Sequence, residues 1–231
     1  MRLILQLFVS LFLTVTLLIL PGIAGWGDTL KGVGDTGSQA IGLPYTPTEA
    51  DAGIREVLHM GTDYAVSELG KNGGFSANPA ASIPLPDMLS SMVGASGLLS
   101  SFNTAAEGAV EPMGELFHKT IDTMDIGNPV SMISGSDTSI TDYFEETARP
   151  TLKELARPMV GQQLETAGLG AYTNAISAAQ LLSNASGSPF DPTDYVTDKA
   201  LDAMFMYIGD QEKDLRSNGA ANASELLKKL F

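Results

Sequence analysis

The chain has 231 residues, of which 44% are hydrophobic and only 7% aromatic, with no cysteine and a net charge of −14. That apolar mass suffices for one packed domain, and an apolar fraction carried by Ala, Gly, Leu and Met favours helices in close contact. The charge repels phosphate backbones and anionic lipid head groups, which argues against nucleic acid as a partner. The missing cysteine excludes disulfides, thiolate catalysis and cysteine-ligated metals.

Arg2 is the only charge before Asp28, and Leu3 to Leu20 is an apolar run interrupted by Gln6, Ser10, Thr14 and Thr16. Pro21-Gly22 breaks the helix, and Gly22 and Ala24 place small residues at positions −3 and −1 of a signal-peptidase site. Residues 1–24 therefore read as a signal peptide whose removal leaves 207 residues carrying −15, since Arg2 leaves with it. The expected location is periplasmic or secreted, with no membrane span after cleavage. The run is long enough to approach a membrane span, so an uncleaved inner-membrane anchor is the alternative. Residues 25–45 read as a Gly-rich arm and 46–231 as one helical domain.

The domain opens on Thr46-Pro47-Thr48-Glu49: a Thr cap, Pro at the first helical position and Glu three after the cap. Ile54, Val57, Leu58, Ala65 and Leu69 continue at helical spacing until Gly70. Asn72 to Pro86 is an extended connector, because its prolines forbid a helix or a central strand. A short helix is expected over Pro86 to Val93, ending at Gly94 or Gly97, and a long one over Ser101 to Met124. Asn128-Pro129 starts a turn of helix closed by Gly135, and Asp137 or Ser139 caps the segment with Tyr143 and Phe144. Thr151 to Ala167 reads as a separate helix kinked at Pro158, and Ala171 to Leu182 as an Ala-rich one. Asp191-Pro192 opens a helix to about Arg216 that is apolar on more than one face, as expected of a central, buried element. Ser224 to Phe231 forms a last short helix expected to dock on it. The pattern predicts an all-α, single-domain irregular helical bundle.

Few motifs carry chemistry. Gly32-Val33-Gly34-Asp35-Thr36-Gly37 spells a dinucleotide fingerprint without the strand its mechanics need. Glu56 with His59 and Glu115 with His118 form two Glu-x-x-His pairs that use both histidines of the chain. Di-iron bundles use this pairing twice, but after a helix that donates a Glu, and only the Gly-rich arm precedes the first pair here. No metal or other cofactor is therefore expected. No Gly-x-Ser-x-Gly elbow and no Ser-x-x-Lys occurs. Met88, Met92, Met113, Met204 and Met206 fall at core-like spacings, with a flexible Met-lined apolar pocket as the other reading.

Several stretches together resemble a bacterial family of exported proteins known as domain of unknown function 4197. They include Gly53-Ile54-Arg55-Glu56-Val57-Leu58, Gly73-Gly74-Phe75, Ile83-Pro84-Leu85-Pro86 and Asn103-Thr104-Ala105-Ala106-Glu107. Thr141-Asp142-Tyr143-Phe144, Tyr195-Val196-Thr197-Asp198-Lys199-Ala200-Leu201-Asp202, Arg216-Ser217-Asn218 and the closing Leu226 to Phe231 follow in the same order. Where the family pattern has Arg, this chain has Thr104, and neither histidine sits at a family-motif position. The resemblance implies an exported helical domain and supplies no activity. The leading reading is a non-enzymatic binding or interaction module of the bacterial cell envelope, with an envelope protein or a small apolar ligand as partner. Asn103, Glu107, Thr141, Tyr143 and Arg149 are the candidate ligand-binding residues, because a polar group on a small-residue-rich helix is costly unless paired or ligand-bound. A structural hydrogen-bond network is the competing account of the same residues. The runner-up function is a metal-dependent or other enzyme using Glu56, His59, Glu115 and His118.

Overall fold

A computed structural model describes residues 42–182, 189–218 and 224–231. The expected signal peptide, the Gly-rich fingerprint and most of the Gly-rich arm lie outside these residues. Among the described residues eight α-helices follow in order: α1 Pro47–Leu69, α2 Asp87–Ser90, α3 Ala95–Thr123, α4 Pro129–Ile133, α5 Ser139–Thr166, α6 Thr173–Leu182, α7 Pro192–Ser217 and α8 Glu225–Leu230. A 3-10 turn, Leu169–Tyr172, leads into α6. No strand occurs among the described residues, and no helix there is long and apolar enough to cross a membrane.

The four long helices form a closed ring in which α1 packs on α3 and α7, and α5 packs on the same two. Phe117 of α3, Phe144 of α5 and Phe205 of α7 meet at its centre, with ring centroids 5.2 to 5.7 Å apart. Phe75 and Ile83 of the connector are fully buried, so the extended segment closes one side of the bundle. Where α1 crosses α7, a Cβ on Gly61 would meet Ile208 Cγ2 at 2.8 Å and its Cα at 3.2 Å, so the approach requires glycine.

The capping box of α1 forms as the sequence predicts. Glu49 N donates to Thr46 Oγ1 at 3.2 Å and Thr46 N to Glu49 Oε2 at 2.7 Å. Asp191 caps α7 with bonds from Thr193 N and Asp194 N, and Asn128 caps α4.

Three boundaries differ from the sequence expectation. Helix α3 starts at Ala95 rather than Ser101, since Gly97 does not end a helix but makes room for the Tyr172 hydroxyl, which would lie 2.1 Å from a Cβ. The two segments around Pro150 are one helix, α5, carrying Pro150 and Pro158 in its interior. Both prolines and the residues four before them, Glu146 and Glu154, are exposed, so water can reach the carbonyls the prolines leave unbonded. Neither Asp137 nor Ser139 caps α5; its N-cap residue, Thr138, makes no capping bond. The carboxylate of Glu212, from α7, does this work: Ile140 N donates to Oε1 at 3.1 Å and Thr141 N to Oε2 at 2.8 Å.

The last helix docks, but on α1 rather than mainly on α7. Leu227 and Leu230 are buried, and Leu230 lies where a Gly53 Cβ would be, at 2.0 Å. Lys229 Nζ donates to Glu49 Oε1 at 2.5 Å, and the Arg216 guanidinium of α7 covers the Phe231 ring at 4.7 Å.

Candidate functional site

The five polar residues singled out from the sequence all have partners within the fold, and they do not gather in one pocket. Asn103 and Glu107, one turn apart on α3, pin the connector. Asn103 Oδ1 accepts from Ile83 N at 2.9 Å, while its amide donates to Ile83 O and Leu99 O. Glu107 Oε1 accepts from Phe75 N, Ser76 N and the Ser76 hydroxyl at 2.9 to 3.0 Å. Burial pushes the Glu107 carboxyl up, but the backbone N–H groups of Ser76 and Phe75 prevail and hold it below the usual range.

The other three lie along α5. Thr141 donates its hydroxyl to Glu212 Oε2 at 2.7 Å. Tyr143 donates to Asp125 O at 3.0 Å and accepts from Gly127 N at 3.2 Å. Arg149 binds Glu145 and Asp202 and lies over the Phe205 ring at 5.8 Å. It heads a ladder in which Lys153 reaches Asp194 and Asp198 and Arg157 reaches Asp191, all across the α5–α7 seam. An open cleft of about 370 Å³ beside this seam is lined by Thr141, Asp142, Glu145, Asp202 and Asp210, and a second, of about 330 Å³, has Tyr143 and Glu146 on its wall.

The largest of these open concavities is elsewhere, about 490 Å³ between α2 and α6. Met88, Met92, Val93, Ala175, Ala179 and Leu182 line it, and among the described residues no ionisable side chain does. On its wall Val93 is 95% and Leu182 83% exposed. The sequence held one clue, the Met-lined pocket as the second reading of Met88 and Met92. The contribution of α6 was hidden, because Ala171 to Leu182 read only as an Ala-rich helix.

A second cluster joins both histidines. His59 on α1 and His118 on α3 face each other with Nδ1 atoms 2.6 Å apart, in nearly parallel rings inclined by 17°. The ring centres are 4.9 Å apart, which exceeds the nitrogen separation by about two ring radii. Both Nδ1 atoms thus lie on the line between the centres, and the rings meet edge to edge in a common plane rather than face to face. On the outer sides, His59 Nε2 is 3.0 Å from Asp122 Oδ1 and His118 Nε2 is 3.0 Å from Asp63 Oδ1. The carboxylates are those of Asp63 and Asp122, not Glu56 and Glu115. The signal in the sequence was a doubled His-x-x-x-Asp spacing, His59 to Asp63 and His118 to Asp122, each Asp serving the other helix's imidazole. Among the described residues no three acidic or histidine side chains converge on one point, since the carboxylates sit behind the rings.

No curated protein and no solved structure matches the chain. The family model described as protein of unknown function (DUF4197) matches residues 44–231, from just before α1 through α8 and including the connector, the groove and both histidines. The chain therefore belongs to the DUF4197 family of proteins of unknown function.

Proposed function

We propose that this protein is a non-enzymatic binding module of a Gram-negative cell envelope that takes a small apolar ligand between α2 and α6. The groove carries the reading. Its volume, about 490 Å³, lies within the roughly 300–1,000 Å³ of small-molecule sites. Its two methionines adapt to varied apolar shapes, and the exposed side chains Val93 and Leu182 on its wall are apolar surface that a ligand would cover. Among the described residues Ser91 is the one polar side chain of the wall, which suits binding rather than acid–base chemistry. The envelope location rests on the apolar run of residues 3–20 and the Gly22-Ile23-Ala24 sequence after it.

The test is titration with N-phenyl-1-naphthylamine, a neutral dye that fluoresces in apolar sites. Saturable binding at one dye per chain is expected, weakened at least tenfold by Ala179→Trp, which fills the groove, and by Met92→Asp. Binding that does not saturate, or that both variants leave unchanged, refutes the groove. The protein isolated from an envelope fraction should begin at Gly25, and an intact Met1 would refute cleavage.

A further inference from the structure

We infer that His59 and His118 form a binding site for one late first-row divalent metal ion, held between their Nδ1 atoms, with Asp63 and Asp122 orienting the rings. The argument is a proton count. An ionised carboxylate only accepts hydrogen bonds, so Asp122 and Asp63 require a proton on His59 Nε2 and His118 Nε2. A neutral imidazole carries one N–H, so with Nε2 protonated each Nδ1 presents a lone pair. Two lone pairs then point at each other across 2.6 Å. That contact is repulsive unless a cation stands between them, either a shared proton or a metal ion.

The surroundings select the metal. A carboxylate on the far nitrogen of a histidine is the arrangement that fixes the tautomer of a metal-ligating imidazole and raises its basicity. Here it occurs twice, crosswise, and uses the only two histidines in the chain. The two carboxylates, 65% and 74% exposed, match the charge of a divalent ion and exceed that of a shared proton by one. Imidazole ligands suit Zn²⁺, Ni²⁺ and Cu²⁺, and water would complete the coordination. Metal–nitrogen bonds of about 2.0–2.1 Å at a tetrahedral angle need the two nitrogens about 3.3 Å apart. The rings must separate by less than 1 Å, and both side chains are about one-third exposed, with room to turn. The sequence argued against metal because the Glu-x-x-His order departs from a di-iron bundle. This site uses neither Glu56 nor Glu115, and that objection does not reach it.

An ion held here would tie α1 to the C-terminal half of α3. Isothermal titration of the full chain with Zn²⁺ at pH 7.5 should find one ion per chain and a raised melting temperature. His59→Ala and His118→Ala should each abolish binding. Asp63→Asn and Asp122→Asn should weaken it by about 10- to 100-fold. Long-range ¹H–¹⁵N spectra of the imidazoles should show both Nδ1 resonances shifting with zinc while both Nε2 stay protonated. These side chains lie at the surface, so circular dichroism can verify that the variants fold. Zinc binding that survives His118→Ala overturns the assignment. So does a pair that takes up one proton on acidification but no metal.

Discussion

Replacing Glu212 with alanine tests the main polar joint of the fold. The Glu212 side chain is fully buried and accepts five hydrogen bonds: from Ile140 N, Thr141 N, the Thr141 hydroxyl, Arg216 Nε and Arg216 Nη2. Arg216, 11% exposed, also donates to the carbonyls of Met132 and Ile133 and to the Ser139 hydroxyl. The Glu212 carboxylate thus sits at the positive end of the α5 dipole and neutralises a guanidinium that binds α4. Removing it leaves two helix N–H groups without their acceptor and a mostly buried cation without its counter-charge. Breaking a buried pair in this way costs about 3–5 kcal/mol. In a domain of this size that corresponds to a fall in melting temperature of roughly 6–20 °C. Arg216→Ala should cost less, because the carboxylate keeps the α5 donors and the helix dipole. Urea unfolding followed by circular dichroism measures both. A loss below about 1 kcal/mol for Glu212→Ala, or a larger loss for Arg216→Ala, would show that the joint is not what orders α5 against α7.

Deleting Leu226 to Phe231 removes two buried leucines, each worth about 1.5–3 kcal/mol against exposure, and should lower the melting temperature by several degrees; an unchanged value would refute docking. The amino group of Lys229 first, and then the Thr46 backbone N–H, hold the Glu49 carboxyl down to about 2. The folded value lies below the unfolded one, so this contribution is full above about pH 4.5 and disappears as the pH falls towards 2. Lys229→Met should therefore flatten the acid limb of the stability curve in that window, and an acid limb identical to wild type would refute the link.

Much of the architecture was legible because it depends on local rules. The capping box at Thr46 and Glu49, the Asp191-Pro192 start of α7 and the burial of Ile54, Val57 and Leu58 follow from neighbours within a few positions. The misread boundaries had tertiary causes. Pro150 looked like a helix end because its tolerance depends on which side of α5 faces water, and Gly97 looked like a break because Tyr172 is 75 positions away. The candidate sites were harder still. His59 and Asp122, or Glu212 and Thr141, are ordinary residues until two helices cross, and pattern within one helix contains no information about that crossing. The polar residues of α3 and α5 were singled out because an unpaired polar group on such helices is costly, and that argument cannot tell a ligand from the Ser76 amide or the Asp125 carbonyl as the group that satisfies them.

The docking of α8 on α1 also sets a clock on vectorial synthesis. Glu49 and Lys229, which the docked helix joins, are 180 positions apart. At ribosomal rates of about 5–20 residues per second, the Gly53 saddle of α1 waits about 9–36 s for the leucines that fill it. The contacts that close the domain are among its most non-local, so the nascent chain remains an unfinished bundle until its last six residues emerge. Swapping the order of the helices by circular permutation, so that α8 is made before α1, would remove that delay.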